Sequence, residues 1–220
     1  ALRARGWRCA VTDVTPMYAM LAVMGPRSRE LMGRVSTARF DHASFPFGTS
    51  QEIDVGYATV RATRLTYVGE LGWELYVPVE FAVGVYERLM EAGRDLGLSD
   101  AGYYAIESLR LEKGYRAWGR ELTPDVNPFE AGLAFAVKLD KGEFRGRDAL
   151  ARIKSEGVKR RIVSLVVDAP HTNLWGNELV LRDGRAAGFV TSAAFGHTLG
   201  KPVALALIAN ADGAADKAWV

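Results

Sequence analysis

The nine residues Tyr67-Val68-Gly69-Glu70-Leu71-Gly72-Trp73-Glu74-Leu75 place two carboxylates, two glycines and two large aromatic rings inside what reads as a β-hairpin. Strand interiors favour β-branched and apolar residues, and Gly and Glu are depleted there. A glycine in such a place often marks a bulge, or a close approach by a ligand or another backbone. An ionised carboxylate only accepts hydrogen bonds, through two oxygens. Its natural neutral partner is a planar group with two adjacent N–H donors, such as a guanidine-like or 2-amino-4-oxo ring edge. Tyr67 and Glu74 flank the Gly69–Gly72 turn, where strand alternation lets them converge on one face. Tyr67, Trp73 and Tyr76 supply rings to stack on such a plane. The plain alternative is an edge-strand glutamate paired with Arg61 or Arg64, with the rings in the core. Glu70 sits on the turn and is assigned to structure.

Other chemistry is sparse. Lys113-Gly114-Tyr115-Arg116-Ala117-Trp118-Gly119-Arg120-Glu121 is a glycine-punctuated loop, and such loops often carry ligand contacts. The competing reading is that Lys113 and Arg116 complement the C-terminal dipole of the preceding helix. His42, His171 and His197 lie in separate loops without metal-ligand spacing, so no metal site is expected. Asp13, Asp125 and Glu130 read as turn caps. No glycine-rich phosphate loop, nucleophile elbow or Ser/His/Asp pattern is visible.

These residues must be positioned by ordinary globular material, since the chain is 49% hydrophobic and 25% charged with a net charge of +2. The short basic runs at 3–8 and 159–161 do not make the extended basic face that nucleic acid requires. A single cysteine, Cys9, excludes an internal disulfide framework and points to a reducing compartment. No apolar run is long enough to span a membrane. The pattern predicts a buried strand over 17–24 and a helix from Pro26 through Val35. Strands follow at 53–55, 58–67 and 73–77, the first two around Gly56-Tyr57. One amphipathic helix is expected over 78–97, and a second begins at a Ser99 or Asp100 cap and ends at Gly114. A short strand at 134–139 and a helix ending near Gly157 come next. From Lys159 onward the texture is short strands, with a hairpin turn at Asp183-Gly184. That spacing suggests a small barrel or sandwich. The start reads as a surface helix or its loop, and the end, 211–220, as a strand cut short.

Taken together, Tyr67–Glu74, Ser108-Leu109-Arg110-Leu111-Glu112-Lys113-Gly114 and Asn127-Pro128-Phe129-Glu130-Ala131-Gly132-Leu133 resemble the glycine-cleavage T-protein (aminomethyltransferase) family. Leu139-Asp140-Lys141, Phe144-Arg145-Gly146 and Gly188-Phe189-Val190-Thr191-Ser192 continue the match in order. The loop at 113–121 and the segment 123–128 look most like the folate-binding C-terminal regions of sarcosine and dimethylglycine dehydrogenases. The resemblance implies an α+β T-protein-like folate-binding fold, a mixed sheet with packed helices, followed by a small C-terminal β-barrel. It divides the chain into a partial folate-binding domain at 1–155 and a barrel domain, cut short, at 156–220. It implies that the module transfers a one-carbon (methylene) unit to tetrahydrofolate within a flavin-dependent N-methyl amine dehydrogenase or oxidase. FAD is expected only in an upstream domain.

By the same resemblance, Tyr67 and Glu74 hold the pterin. The family's catalytic Asp lies upstream of the matching segment, so no catalytic residue is assigned and the chain is not expected to complete the reaction alone. Ile106 stands where T-proteins carry a folate-contacting Arg, and Leu207 where they carry a late Tyr. Tyr115 replaces the Cys of the iron–sulfur assembly branch. The implied partners are folate and an upstream flavin domain, with no nucleic acid and no membrane. The implied location is cytoplasmic, or the mitochondrial matrix in a eukaryote. A stand-alone aminomethyltransferase and a non-catalytic regulatory relative are the alternatives.

Overall fold

The computed structural model describes residues 6–169 and 171–210, so the readings for 1–5 and 211–220 lie outside the described residues. The chain forms two compact units, Ala1–Asp100 and Ala101–Val220.

In the first unit, β1 (Tyr18–Met24), β2 (Ser50–Val55), β3 (Ala58–Thr63) and β4 (Gly72–Pro78) make an antiparallel sheet in the order β1-β4-β3-β2. Helices α1 (Ser28–Val35) and α2 (Ala82–Ala92) supply Leu31, Met32, Val35, Val85 and Leu89 to one hydrophobic core. Every second residue of β3 and β4 enters that core: Ala58, Val60 and Ala62, then Trp73, Leu75 and Val77. Such period-two burial is what a sheet with one packed face requires. Trp73 is fully buried, with Phe40 and Phe45 edge-on to it at 5.3 and 6.0 Å between ring centroids.

Three expectations change here. β1 is not a buried strand, because only Val23 of it is buried while Tyr18 and Met20 are exposed. β3 ends at Thr63 rather than at Tyr67, since Arg64 turns into the interior and donates from Nη1 to the Phe45 carbonyl at 2.7 Å. The long helix over 78–97 is interrupted. It comprises a 3-10 turn at Val79–Phe81, α2, and a second 3-10 turn at Arg94–Leu96, with the break at Gly93, against which Leu98 packs.

The second unit holds α3 (Tyr103–Glu112), α4 (Arg147–Glu156) and four strands: β5 (Arg160–Val166), β6 (Leu179–Arg182), β7 (Arg185–Gly196) and β8 (Lys201–Ala209). The antiparallel order is β5-β8-β7-β6, and β8 is buried from Pro202 to Ile208. The β6–β7 turn lies at Asp183-Gly184, both at positive φ as a two-residue hairpin turn demands. No side chain caps α3. Asp100, read as its cap, instead accepts the Tyr86 hydroxyl at 2.9 Å. The strand read at 134–139 is a 3-10 turn at Ala134–Ala136 with Phe135 exposed, so its apolar run has no sheet neighbour.

α3 buries polar residues where its sequence offers apolar ones: Ser108 and Arg110 are inside, while Leu109 is partly exposed. Arg110 is fully buried. It donates from Nη1 to Glu121 at 3.1 Å and from Nη2 to Glu107 at 2.6 Å. The equally buried Glu121 also accepts the Ala117 N–H at 2.8 Å and the hydroxyls of Thr191 and Ser192 at 2.6 Å each. Two consecutive strand residues reach one carboxylate because β7 is bulged between Val190 and Ser192. A bulge re-aims a side chain in this way. Burial raises the Glu121 carboxyl, but the two hydroxyls, the Ala117 N–H and the Arg110 charge outweigh it and hold it below the usual range.

A carboxyl depressed in the folded state contributes stability above its unfolded value, about 4.3, and loses that contribution as pH falls through its folded value. Glu121→Gln should therefore destabilise the protein at neutral pH by about 3 kcal/mol. That is the low end for a broken buried pair, because Glu107 still faces Arg110. The variant should also flatten the loss of stability on acidification. Urea unfolding across an acid pH series measures both, and a variant with the parent's midpoint and acid limb would contradict this role.

Candidate functional site

The site grows out of β4. Trp73, Leu75 and Val77 face the core, so Gly72, Glu74, Tyr76 and Pro78 face the other way. Directly opposed residues of antiparallel strands share a face. Glu74 is opposite Ala22 of β1 and Thr63 of β3, while Tyr76 is opposite Met20 and Arg61. The half-buried Glu74 carboxylate thus stands between two small side chains. Tyr76 and Met20 rise beside it, 39% and 54% exposed.

Neither arginine that might neutralise Glu74 does so. Arg61 pairs across the sheet with Glu52. Arg64 is buried, bonds the Phe45 carbonyl, lies 3.1 Å from His42 Nδ1 and sits over the Trp73 ring. Among the described residues Glu74 has no ion pair, and its hydrogen bond is from the Tyr76 hydroxyl to Oε2 at 3.3 Å. Burial, and then the charge and hydrogen bond of Glu74, push the Tyr76 phenol above its ordinary value.

Tyr67 lies in the 64–71 connection, half-buried, in a run of bends rather than on a strand. That connection is tied to the Glu74 face, since the Thr66 hydroxyl points at Met24 Sδ and Met24 is opposite Gly72. The two glycines have separate causes. Gly69 has φ +81°, and Gly72 admits β1, because a Cβ there would sit 2.6 Å from Met24 Cγ and 2.8 Å from the Val23 carbonyl. The close approach expected of a glycine is therefore to backbone. Trp73, expected among the stacking rings, is on the core side and cannot serve. Glu70 is exposed and makes no side-chain hydrogen bond or ion pair among the described residues. Ala22, Met20 and Thr63 went unnoticed in the sequence. The one available signal was a small residue alternating between methionines in Met20-Leu21-Ala22-Val23-Met24.

Chemically, the face offers one charged acceptor pair with an aromatic wall and a floor of small side chains. It suits a flat ring presenting two N–H donors, and the 2-amino-4-oxo edge of a pterin is such a group. Bidentate bonds to an ionised acceptor are among the stronger hydrogen bonds available. A cleft of about 360 Å³ between α2 and the β2–β3 turn shares none of these residues. No group of His, Cys, Asp or Glu among the described residues is arranged to hold a metal ion. No described helix is long and apolar enough to cross a membrane.

Residues 1–141 match the GCVT N-terminal domain, and residues 160–219 match the glycine cleavage T-protein C-terminal barrel domain. The chain belongs to this aminomethyltransferase-like family. It is 41% identical to the mitochondrial sarcosine dehydrogenase of Mus musculus, over 96% of the chain and 23% of that protein. It is 38% identical to the mitochondrial dimethylglycine dehydrogenase of Mus musculus, over 92% of the chain and 24% of that protein. The crystal structure of glycine cleavage system aminomethyltransferase T from Bartonella henselae superposes with a TM-score of 0.75 at 29% identity, covering 87% of this chain and 52% of that one. The chain thus spans about a quarter of the two dehydrogenases and about half of the aminomethyltransferase.

The Tyr76–Glu74 contact gives a direct check. Glu74→Gln should lower the titration midpoint of Tyr76 toward the ordinary phenol value, because it removes a negative charge that opposes ionisation. Carbon-13 NMR of labelled tyrosine rings reads it. An unmoved or raised midpoint would mean that the two side chains are not coupled as described.

Proposed function

We propose that this chain is the tetrahydrofolate-dependent methylene-transfer module of a flavin-dependent N-methyl amine dehydrogenase or oxidase of the sarcosine/dimethylglycine type. The observation that carries the reading is the Glu74 carboxylate, without a cation among the described residues on an open sheet face while Arg61 and Arg64 are engaged elsewhere. Glu74 orients the pterin by accepting from its ring edge, and Tyr67 lines or stacks on the ring. Bound tetrahydrofolate supplies the amine nitrogen that takes up the one-carbon unit. The chain's own contribution is positioning, which accounts for a large share of the barrier in reactions between two bound partners.

The identities to the two dehydrogenases, spread over nearly the whole chain, support an upstream flavin domain carrying FAD in the same polypeptide. They also support a mitochondrial matrix location in a eukaryotic host. We retain a division into a folate-binding domain at 1–155 and a barrel domain at 156–220. A second reading, a stand-alone aminomethyltransferase, draws on the Bartonella henselae structure. The coding sequence upstream separates the two, since a Gly-x-Gly-x-x-Gly between a strand and a helix belongs only to the first.

Calorimetric titration of tetrahydrofolate into the full-length polypeptide should give a saturable isotherm that Glu74→Ala weakens. The loss should be at least about tenfold in affinity, as expected for a hydrogen-bonded charge. Glu74 is half-exposed and lies outside the core, so the variant should keep the parent's unfolding transition. Equal affinity in both proteins would overturn the site.

A further inference from the structure

The loop after α3 leads to a second place where chemistry is built. A cleft of about 470 Å³ lies in the second unit alone, with Val126, Phe189 and Leu207 as its apolar lining. Arg120, Thr123 and Arg160 also line it. So does Thr191, the residue at the β7 bulge whose hydroxyl is spent on Glu121 and the Leu205 carbonyl. The fully buried Glu121 fixes the loop on one side through the Ala117 N–H, and the bulge on the other through Thr191 and Ser192. Arg120, next to Glu121 in sequence, is therefore carried by a rigid support.

The two lining arginines differ. Arg160 is committed: its Nε donates to Glu130 at 2.9 Å and its Nη2 to the Asp125 carbonyl. Arg120 makes no side-chain hydrogen bond or ion pair among the described residues, and its guanidinium lies beside Gly176. Thr123 accepts the Asp125 N–H on its hydroxyl oxygen at 3.3 Å, which leaves its own proton to donate.

We propose that this cleft binds a small organic monocarboxylate, independently of the Glu74 face. The Arg120 fork takes the carboxylate, the Thr123 hydroxyl donates to it, and the apolar body rests on Phe189, Leu207 and Val126. One uncommitted guanidinium matches one negative charge, and its planar fork matches the planar carboxylate. Asp125, also on the lining, repels any anion, and repels the more highly charged phosphate more than a monocarboxylate.

Benzoate is the probe, with benzamide as its neutral analogue and inorganic phosphate as the competing anion, each titrated into the 220-residue chain by NMR. Benzoate should shift resonances around Arg120, Thr123 and Phe189 in a saturable way, with neither control doing so. Arg120→Gln, an exposed change, should weaken benzoate at least about tenfold. Glu74→Ala should leave it unchanged, so the result is separable from the folate reading. Binding of benzamide as strong as that of benzoate, phosphate binding in its place, or an unaffected Arg120→Gln variant would overturn the proposal.

Discussion

The first unit depends on how closely β1 and β4 approach at Gly72. With no Cβ, Gly72 lets the Met24 side chain and the Val23 carbonyl into space that any other residue would fill. That contact fixes the register in which Ala22 opposes Glu74 and Val23 opposes Trp73. A slip of one residue exchanges the two faces of a strand. It would carry Glu74 into the core with Phe40 and Phe45 and expose the Trp73 ring. The apolar side of the register is enforced by Trp73, Leu75 and Val77, all fully buried. The open position of Glu74 is thus a consequence of core packing rather than a local choice of the loop.

What the register leaves on the outer face is an electrostatic opportunity. A carboxylate on a sheet usually finds a cross-strand cation, and the neighbouring positions do hold arginines. Arg61 is drawn to Glu52, and Arg64 is pulled inward by the Phe45 carbonyl and the Trp73 ring. Among the described residues Glu74 keeps only a neutral phenol, through a long hydrogen bond. In the second unit the opposite holds, for Glu121 is saturated by four donors, and the loop it anchors releases Arg120 to the surface.

Much of this was legible in the chain, for reasons that differ between elements. Period-two burial in β3 and β4, the Gly56-Tyr57 and Asp183-Gly184 turns and the helix before Gly157 follow from local patterns that the structure keeps. The site residues Tyr67 and Glu74 were reached partly through the carboxylate's chemistry and partly through family resemblance. Trp73 could be read either as a stacking ring or as a core ring, because alternation gives two faces without saying which is packed. The break at Gly93 depends on Leu98, a contact that periodicity does not encode. The Arg110–Glu121 pair was invisible for a similar reason. Its partners come from a helix, a loop and a strand bulge some 70 residues further on, and a charged residue on an apolar helix face gives no hint of what will meet it.

Membership in the aminomethyltransferase-like family follows from matches along nearly the whole chain. The role of the β4 face rests on the chemistry of one carboxylate. The most direct measurement is a crystal structure of the full-length polypeptide with tetrahydrofolate. The expected result is the pterin edge within hydrogen-bond distance of both Glu74 oxygens, with the ring over Ala22 and Thr63. A folate seated elsewhere, with Glu74 still bonded only to Tyr76, would contradict it.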